Sequence, residues 1–258
     1  MKIPPLLALL GFISMIVAPS RGVAVVVTDG LLYLWSLEET TGTTSFDSIA
    51  GRNMESHGTP AVGVPGISGN AYAFDGTNDY LTAPSGPETF GAGDFTISAW
   101  VRTTASQTKV ATLLHHKSSA GLFELALGYD GRAYFFARND QTNNYVSLSG
   151  GVPLNDGQWH LISLVRQGDS AALYANSTIV DAESNPLLNT VSGMGGLYIG
   201  GRSQPGYYYK GTIDDVAIYS RALSPTEIAS NAIPEPSTTI LLFGGACAFL
   251  AARKRLGR

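Results

Sequence analysis

The sequence predicts an all-β fold, a two-sheet antiparallel sandwich set between two apolar ends. Short runs of alternating apolar and polar residues recur between Gly, Asn, Asp and Pro. Charged residues make up only 14% of the chain, while 30 glycines and 12 tyrosines supply turn and aromatic positions. At 258 residues the chain is long enough for one large sandwich without a second domain.

The first element is not part of the sandwich. Met1-Lys2 precedes an apolar run from Leu6 to Val17, too short to span a bilayer and the right length for the core of a signal peptide. Ala18-Pro19-Ser20 and Gly22-Val23-Ala24 both offer small residues at a cleavage site. Residues 1–24 are therefore read as a signal peptide, 25–232 as the body and 233–258 as a tail.

In the body, Leu31, Tyr33, Trp35 and Leu37 share one strand face, as do Phe95, Ile97, Ala99 and Val101. Asp130-Gly131 falls between two apolar runs and predicts a type I′ hairpin. Further alternation covers Gln158 to Arg166, Ala171 to Ala175, Gly196 to Gly200 and Thr212 to Tyr219. One helix is expected, where Ser224-Pro225-Thr226-Glu227 places an N-cap, a first-turn Pro and the Glu of a capping box in order. The expected core holds Trp35, Phe74, Phe95, Ile97, Trp159, Ile199 and Ile218.

The net charge is −4. Lys2 and the cluster Arg253, Lys254, Arg255 and Arg258 lie in the end segments, so the body is more acidic still, and phosphate backbones are disfavoured as partners. The single cysteine, Cys247, lies in the C-terminal apolar stretch. The body can thus have neither a disulfide nor a thiol nucleophile.

In the tail, Pro234-Glu235-Pro236 leads into the apolar stretch Ile240 to Ala252, which stops at Arg253-Lys254-Arg255. The arginines hold that end in the cytoplasm and place the body outside. The order Pro-Glu-Pro, apolar, basic resembles the PEP-CTERM sorting tail of Gram-negative bacteria. That resemblance implies transient anchoring in the inner membrane, processing by an exosortase, and delivery to the cell surface or matrix.

Nine segments of the body also follow a family order. They begin with Trp35 to Gly42, Asp47 to Asn53 and Phe74-Asp75-Gly76-Thr77-Asn78-Asp79-Tyr80, and continue through Asp94 to Val101, Gly157-Gln158-Trp159-His160, Leu173-Tyr174-Ala175-Asn176 and Leu197 to Gly200. Gly211 to Tyr219 and Arg221-Ala222-Leu223-Ser224 close the pattern. The body resembles bacterial laminin-G-like jelly-roll domains of the concanavalin A-like class. The family has Gly where this chain has Ser177, so the turn at Asn176-Ser177 is either strained or of another type.

No catalytic residue set is found. Glycosidases of this class alternate paired acids along one strand, because acid and nucleophile must flank a single bond. Glu38-Glu39 and Asp214-Asp215 are adjacent and would point to opposite faces. The histidines His57, His115, His116 and His160 show neither triad nor zinc spacing. The resemblance does imply a Ca2+ site, and the matching positions are Asp47 and Asp214. Asp214 alternates with Val216 and Ile218 and would point inward, where it needs either a cation or a hydrogen-bonded network. Tyr207-Tyr208-Tyr209 offers a sugar-stacking surface, or else a strand with alternate rings buried. The expected function is polysaccharide binding at the cell surface without catalysis, with a ligand-free structural protein as the alternative.

Overall fold

The computed structural model describes residues 27–88, 93–107, 109–184, 193–202 and 204–233. The expected signal peptide and the sorting residues Pro234, Glu235, Pro236, Arg253, Lys254 and Arg255 lie outside the described residues. The strands run β1 (Leu31–Trp35), β2 (Thr44–Ser45), β3 (Met54–His57), β4 (Ala61–Pro65), β5 (Asn70–Asp75) and β6 (Tyr80–Glu88). They continue as β7 (Phe95–Arg102), β8 (Ala111–Ser118), β9 (Gly121–Leu127), β10 (Ala133–Asn139) and β11 (Tyr145–Gly150). The last are β12 (Trp159–Gln167), β13 (Ser170–Ala175), β14 (Thr178–Ser184), β15 (Gly193–Ile199) and β16 (Lys210–Tyr219), followed by helix α1 (Pro225–Asn231).

These strands form two antiparallel eight-stranded sheets. The first has the order β14-β13-β12-β7-β16-β5-β4, with β1 also on β16. The second has the order β11-β10-β9-β8-β15-β6-β3-β2. The all-β sandwich expected from the alternation is the architecture found.

Side-chain alternation sends one face of each sheet into a shared core. Phe95, Ile97, Ala99 and Val101 of β7 meet Phe123, Leu125 and Leu127 of β9 and Phe135 of β10 in one buried cluster with Trp35, Phe74, Ile199 and Ile218. Six of the seven expected core residues are there. Trp159 is the exception: it shares a face with Leu161, packs beside Trp100 on the far side of the first sheet, and carries Arg102 over its ring at 4.8 Å. Its partners Ile162 and Leu164 take the core positions instead.

The two predicted hairpins form with altered turns. β9 ends at Leu127, earlier than the apolar run suggests, and Leu127 pairs with Ala133. The connection therefore holds five residues, closed by Gly131 N–H donating to the Gly128 carbonyl at 2.9 Å. Only Gly131 is left-handed, with φ 78°, which is the pattern of a longer loop and not a two-residue I′ turn. At Asn176-Ser177 the loop is two residues long, but Asn176 alone takes positive φ, at 57°. Asn tolerates that region better than Ser does, and its Oδ1 accepts from Leu161 N–H at 3.1 Å.

The first sheet is covered on its outer side as well. Leu34, Val165, Tyr174, Ala217 and Tyr219 pack there against Leu223 and Ile228. Helix α1 holds that cover in place: Ser224 caps it in a full capping box, and Arg221 pairs with Glu227 at 2.6 Å. Thr96 on β7 donates to the Arg221 carbonyl and accepts from Leu223 N–H, both at 2.9 Å. This double cover explains why β7 and β16 are buried almost throughout.

Candidate functional site

The outer face of the second sheet is different. One rung crosses all eight strands through successive pairings: Ser147, Phe136, Glu124, His115, Tyr198, Thr82, Glu55 and Thr44. These side chains point away from the core. The middle of the rung floors a cleft of about 380 Å3, lined by Glu124, His115, Lys117, Tyr134, Phe136, Arg138, Tyr198, Arg202, Gln204 and Tyr207 among others. A volume of that order suits a few sugar units.

A β-bulge positions two of these groups. Thr112 and His115 are three residues apart and would face opposite sides of a regular strand. The β8–β9 register shifts between Thr112 and Leu114, so Leu113 and Leu114 both enter the core while Thr112 and His115 face outward. Thr112 Oγ1 then donates to Glu124 Oε1. Bulges commonly re-aim side chains beside binding sites in this way.

Arg202, Gln204 and Tyr207 form one wall, tied to β8 by Thr112 N–H donating to the Tyr207 carbonyl at 3.1 Å. Arg202 lies 3.3 Å from the centre of the Tyr207 ring and 3.6 Å from Glu124 Oε2. Lys109 Nζ lies 5.4 Å from the centre of the same Tyr207 ring. Glu124 is only 3% exposed, and burial raises its carboxyl above the usual range, against the opposing pull of Arg202 and Thr112. His115 is held neutral, with a pKa pushed down to about 3 by burial and by the Arg202 charge. Its Nδ1 has no hydrogen-bond partner among the described residues.

An aromatic row extends the cleft across the sheet. His115 lies 5.8 Å from Tyr198, Tyr198 lies 6.3 Å from Tyr80, and Tyr80 stacks on both Tyr208 at 6.0 Å and His57 at 4.5 Å. The three consecutive tyrosines therefore separate. Tyr207 lines the cleft, Tyr208 joins the aromatic row, and Tyr209 is fully buried in the core. They precede β16 and are not part of a strand, so a simple alternation of rings does not apply to them.

The two expected metal residues have different surroundings. Asp47 accepts four backbone N–H groups, from Leu34, Ile49, Ala50 and Arg52, at 2.9 to 3.1 Å. That cradle satisfies its carboxylate without a cation. Asp214 lies where the edge of β16 passes from β5 to β1 and the pairing with β7 shifts register. It accepts from Ile67 and Asp215 N–H at 2.8 Å. Burial and the charges of Asp215 and Glu38 drive its pKa upward. A Cβ on Gly66 would lie 2.4 Å from Asp214 Oδ2, and one on Gly69 would lie 2.2 Å from Glu38 Oε1, so glycine lets both acids approach this turn. Among the described residues, no group of three or more His, Cys, Asp or Glu side chains is arranged to hold a metal ion. The Asp214 and Glu38 environment could accept a cation only with backbone or water oxygens completing its shell.

Sequence reading missed Glu124, His115, Thr112, Tyr198 and Arg202. Glu124 gave a signal, as the one charged residue in the apolar run Gly121–Leu127. The bulge that aims Thr112 and His115 gave none.

Among the described residues, the sandwich thus has one outer face covered by α1 and its lead-in and another that bears the cleft. The family described as the concanavalin A-like lectin/glucanases superfamily, of laminin-G type, matches residues 75–229, and the chain belongs to it. No curated protein matches the chain. Among solved structures, the binding domain of Paraclostridial Mosquitocidal Protein 1 aligns with TM-score 0.67 at 17% identity, over 79% of this chain and 52% of that one. Domain 4 of AbnA, a GH43 extracellular arabinanase from Geobacillus stearothermophilus in complex with arabinotriose, gives 0.62 at 19% identity, over 79% and 98%. The botulinum neurotoxin serotype D binding domain gives 0.62 at 15% identity, over 79% and 51%. The chain thus spans about half the length of the toxin domains and nearly all of the arabinanase domain. At these identities the likeness is one of fold.

Proposed function

We propose that this chain is an exported surface protein whose sandwich binds polysaccharide along the bare outer face of the second sheet. The observation that carries the reading is the cleft itself: flat rings from Tyr198, Tyr207, Tyr134 and Phe136 beside polar groups from Glu124, His115, Arg202 and Gln204. Pyranose rings present apolar faces and hydroxyl edges, and such a lining satisfies both. The arabinanase domain, crystallised with arabinotriose, supports a sugar ligand by analogy of fold alone. A glycan array probed with the full-length protein tests the reading, and Tyr198→Ala should lose the signal.

The protein retains its glycan without cleaving it. Glycosidic hydrolysis needs two carboxyl groups flanking one bond, and Glu124 is the single acid among the described residues lining the cleft. Incubation with the bound polysaccharide should release no new reducing ends.

The export reading rests on the sequence order at both ends. An exosortase would remove the tail near Pro234-Glu235-Pro236, leaving a surface or matrix protein. Intact-mass spectrometry of the surface-released protein should show loss of Met1 and of Arg253-Lys254-Arg255. Calcium belongs to this reading as a structural ion beside Asp214 and Glu38, where it would offset the clustered negative charge; Asp47 needs no such partner.

A further inference from the structure

We infer that the polysaccharide held in this cleft is anionic, bearing carboxylate or sulfate groups. The inference rests on the binding reading above and adds the charge of the ligand. The chain as a whole is acidic, with 20 acidic against 16 basic residues, yet the cleft collects Lys117, Arg138 and Arg202 against Glu124 alone. Lys109 stands beside the same wall, over Tyr207. A cationic patch on an acidic body draws anions to that patch, while the rest of the surface repels them.

The arrangement also holds these cations ready. Lys117 on β8 and Arg138 on β10 flank β9 and meet in the single carboxylate of Asp140. Both remain about two-fifths exposed, at 43% and 40%, whereas Asp140 is 25% exposed. Asp140 thus fixes two cationic heads at the mouth of the cleft and neutralises only one unit of charge. A lysine has three donors and an arginine five, so each keeps donors for a second acceptor. On the opposite wall Arg202 is sandwiched between the Tyr207 ring and Glu124, and its Nε is buried with no hydrogen-bond partner among the described residues. Burial raises the Glu124 carboxyl, which weakens the acid inside the cleft, while Asp140 at its mouth is shared between Lys117 and Arg138. Fixed cations on two sides of aromatic rings fit a chain that alternates stacked sugar faces with charged substituents.

Full-length protein is titrated with polygalacturonate, with the same polymer after carboxyl reduction, and with dextran sulfate beside dextran. The anionic member of at least one pair should bind on the order of tenfold more tightly, a difference that two or three partly exposed charge contacts supply. The advantage should shrink with added salt. Lys117→Gln with Arg138→Gln should abolish that advantage while leaving the melting temperature in place, and Arg202→Gln provides a second variant from the other wall. Preference for the carboxylated pair or the sulfated pair identifies the anion. Equal affinity for the charged and neutral members of both pairs would overturn the inference while leaving polysaccharide binding intact. Failure of every glycan on a broad array, neutral and charged, would overturn the binding reading itself.

Discussion

The two outer faces of this sandwich start from the same alternating pattern and end with opposite roles. On the first sheet the outward positions are Val165, Tyr174, Ala217 and Tyr219, and the chain returns across them with Leu223 and Ile228. On the second the outward positions are Phe136, Glu124, His115, Tyr198 and Thr82, and among the described residues they are bordered by Arg202, Gln204 and Tyr207. The first face adds stability and the second keeps polar and aromatic groups available. A groove of about 490 Å3 also lies beside α1, where Tyr174, Ala171, Ala172, Leu223 and Pro225 sit next to the polar groups of Gln167, Ser170, Glu183, Ser184, Ser224 and Glu227.

The comparison can be broken most sharply at the three tyrosines, which belong to different parts of the molecule. Tyr209→Ala removes a fully buried ring and should cost roughly 3–5 kcal/mol, the range for large aromatic truncations in a core. Urea unfolding measures it directly. Tyr207→Ala and Tyr208→Ala should leave the unfolding midpoint nearly unchanged, and a large loss at either would mean that its ring belongs to the core.

Next in size is the acid junction on the first sheet. The folded pKa of Asp214 lies above its unfolded value of about 4. The native state therefore holds the extra proton, and stability declines as pH rises from about 4 towards the folded value. Without calcium, wild-type stability should fall over that window and Asp214→Asn should remove the decline. If calcium binds, saturation at about 100 times its dissociation constant should restore roughly 2.7 kcal/mol at neutral pH, and only in the wild type. Melting curves with chelator and with calcium at pH 5 and pH 8 check both signs.

These outcomes bear on what was legible in the sequence. Strand faces such as Phe95, Ile97, Ala99 and Val101, and the capping box at Ser224, were readable because each depends on neighbours within a few residues. The misplacement of Trp159 came from its position at a strand entry, where alternation has no earlier residue to fix its phase. The cleft was largely hidden: its groups come from β8, β9, β10, β15 and the loop before β16, and a bulge invisible in composition sets two of them. Tyr207 was found because it is aromatic and near a turn, whereas Glu124 and His115 looked like lone polar residues in apolar strands.

A smaller effect separates the cover of the first sheet from the cleft. Ser224→Ala removes the N-cap of α1 and should cost about 1 kcal/mol, read as a small fall in melting temperature. Because α1 lies on the covered face, glycan affinity should not change.

The outer face of the second sheet is the proposed binding face. The most direct test is affinity electrophoresis of full-length protein through gels containing the polysaccharide selected on the array, comparing wild type with Tyr198→Ala, Tyr207→Ala and Ser224→Ala. Retardation of wild type and Ser224→Ala, with Tyr198→Ala and Tyr207→Ala weakened on the order of tenfold at unchanged melting temperature, is the predicted result. Equal retardation of all four proteins would contradict the claim and place binding elsewhere on the molecule.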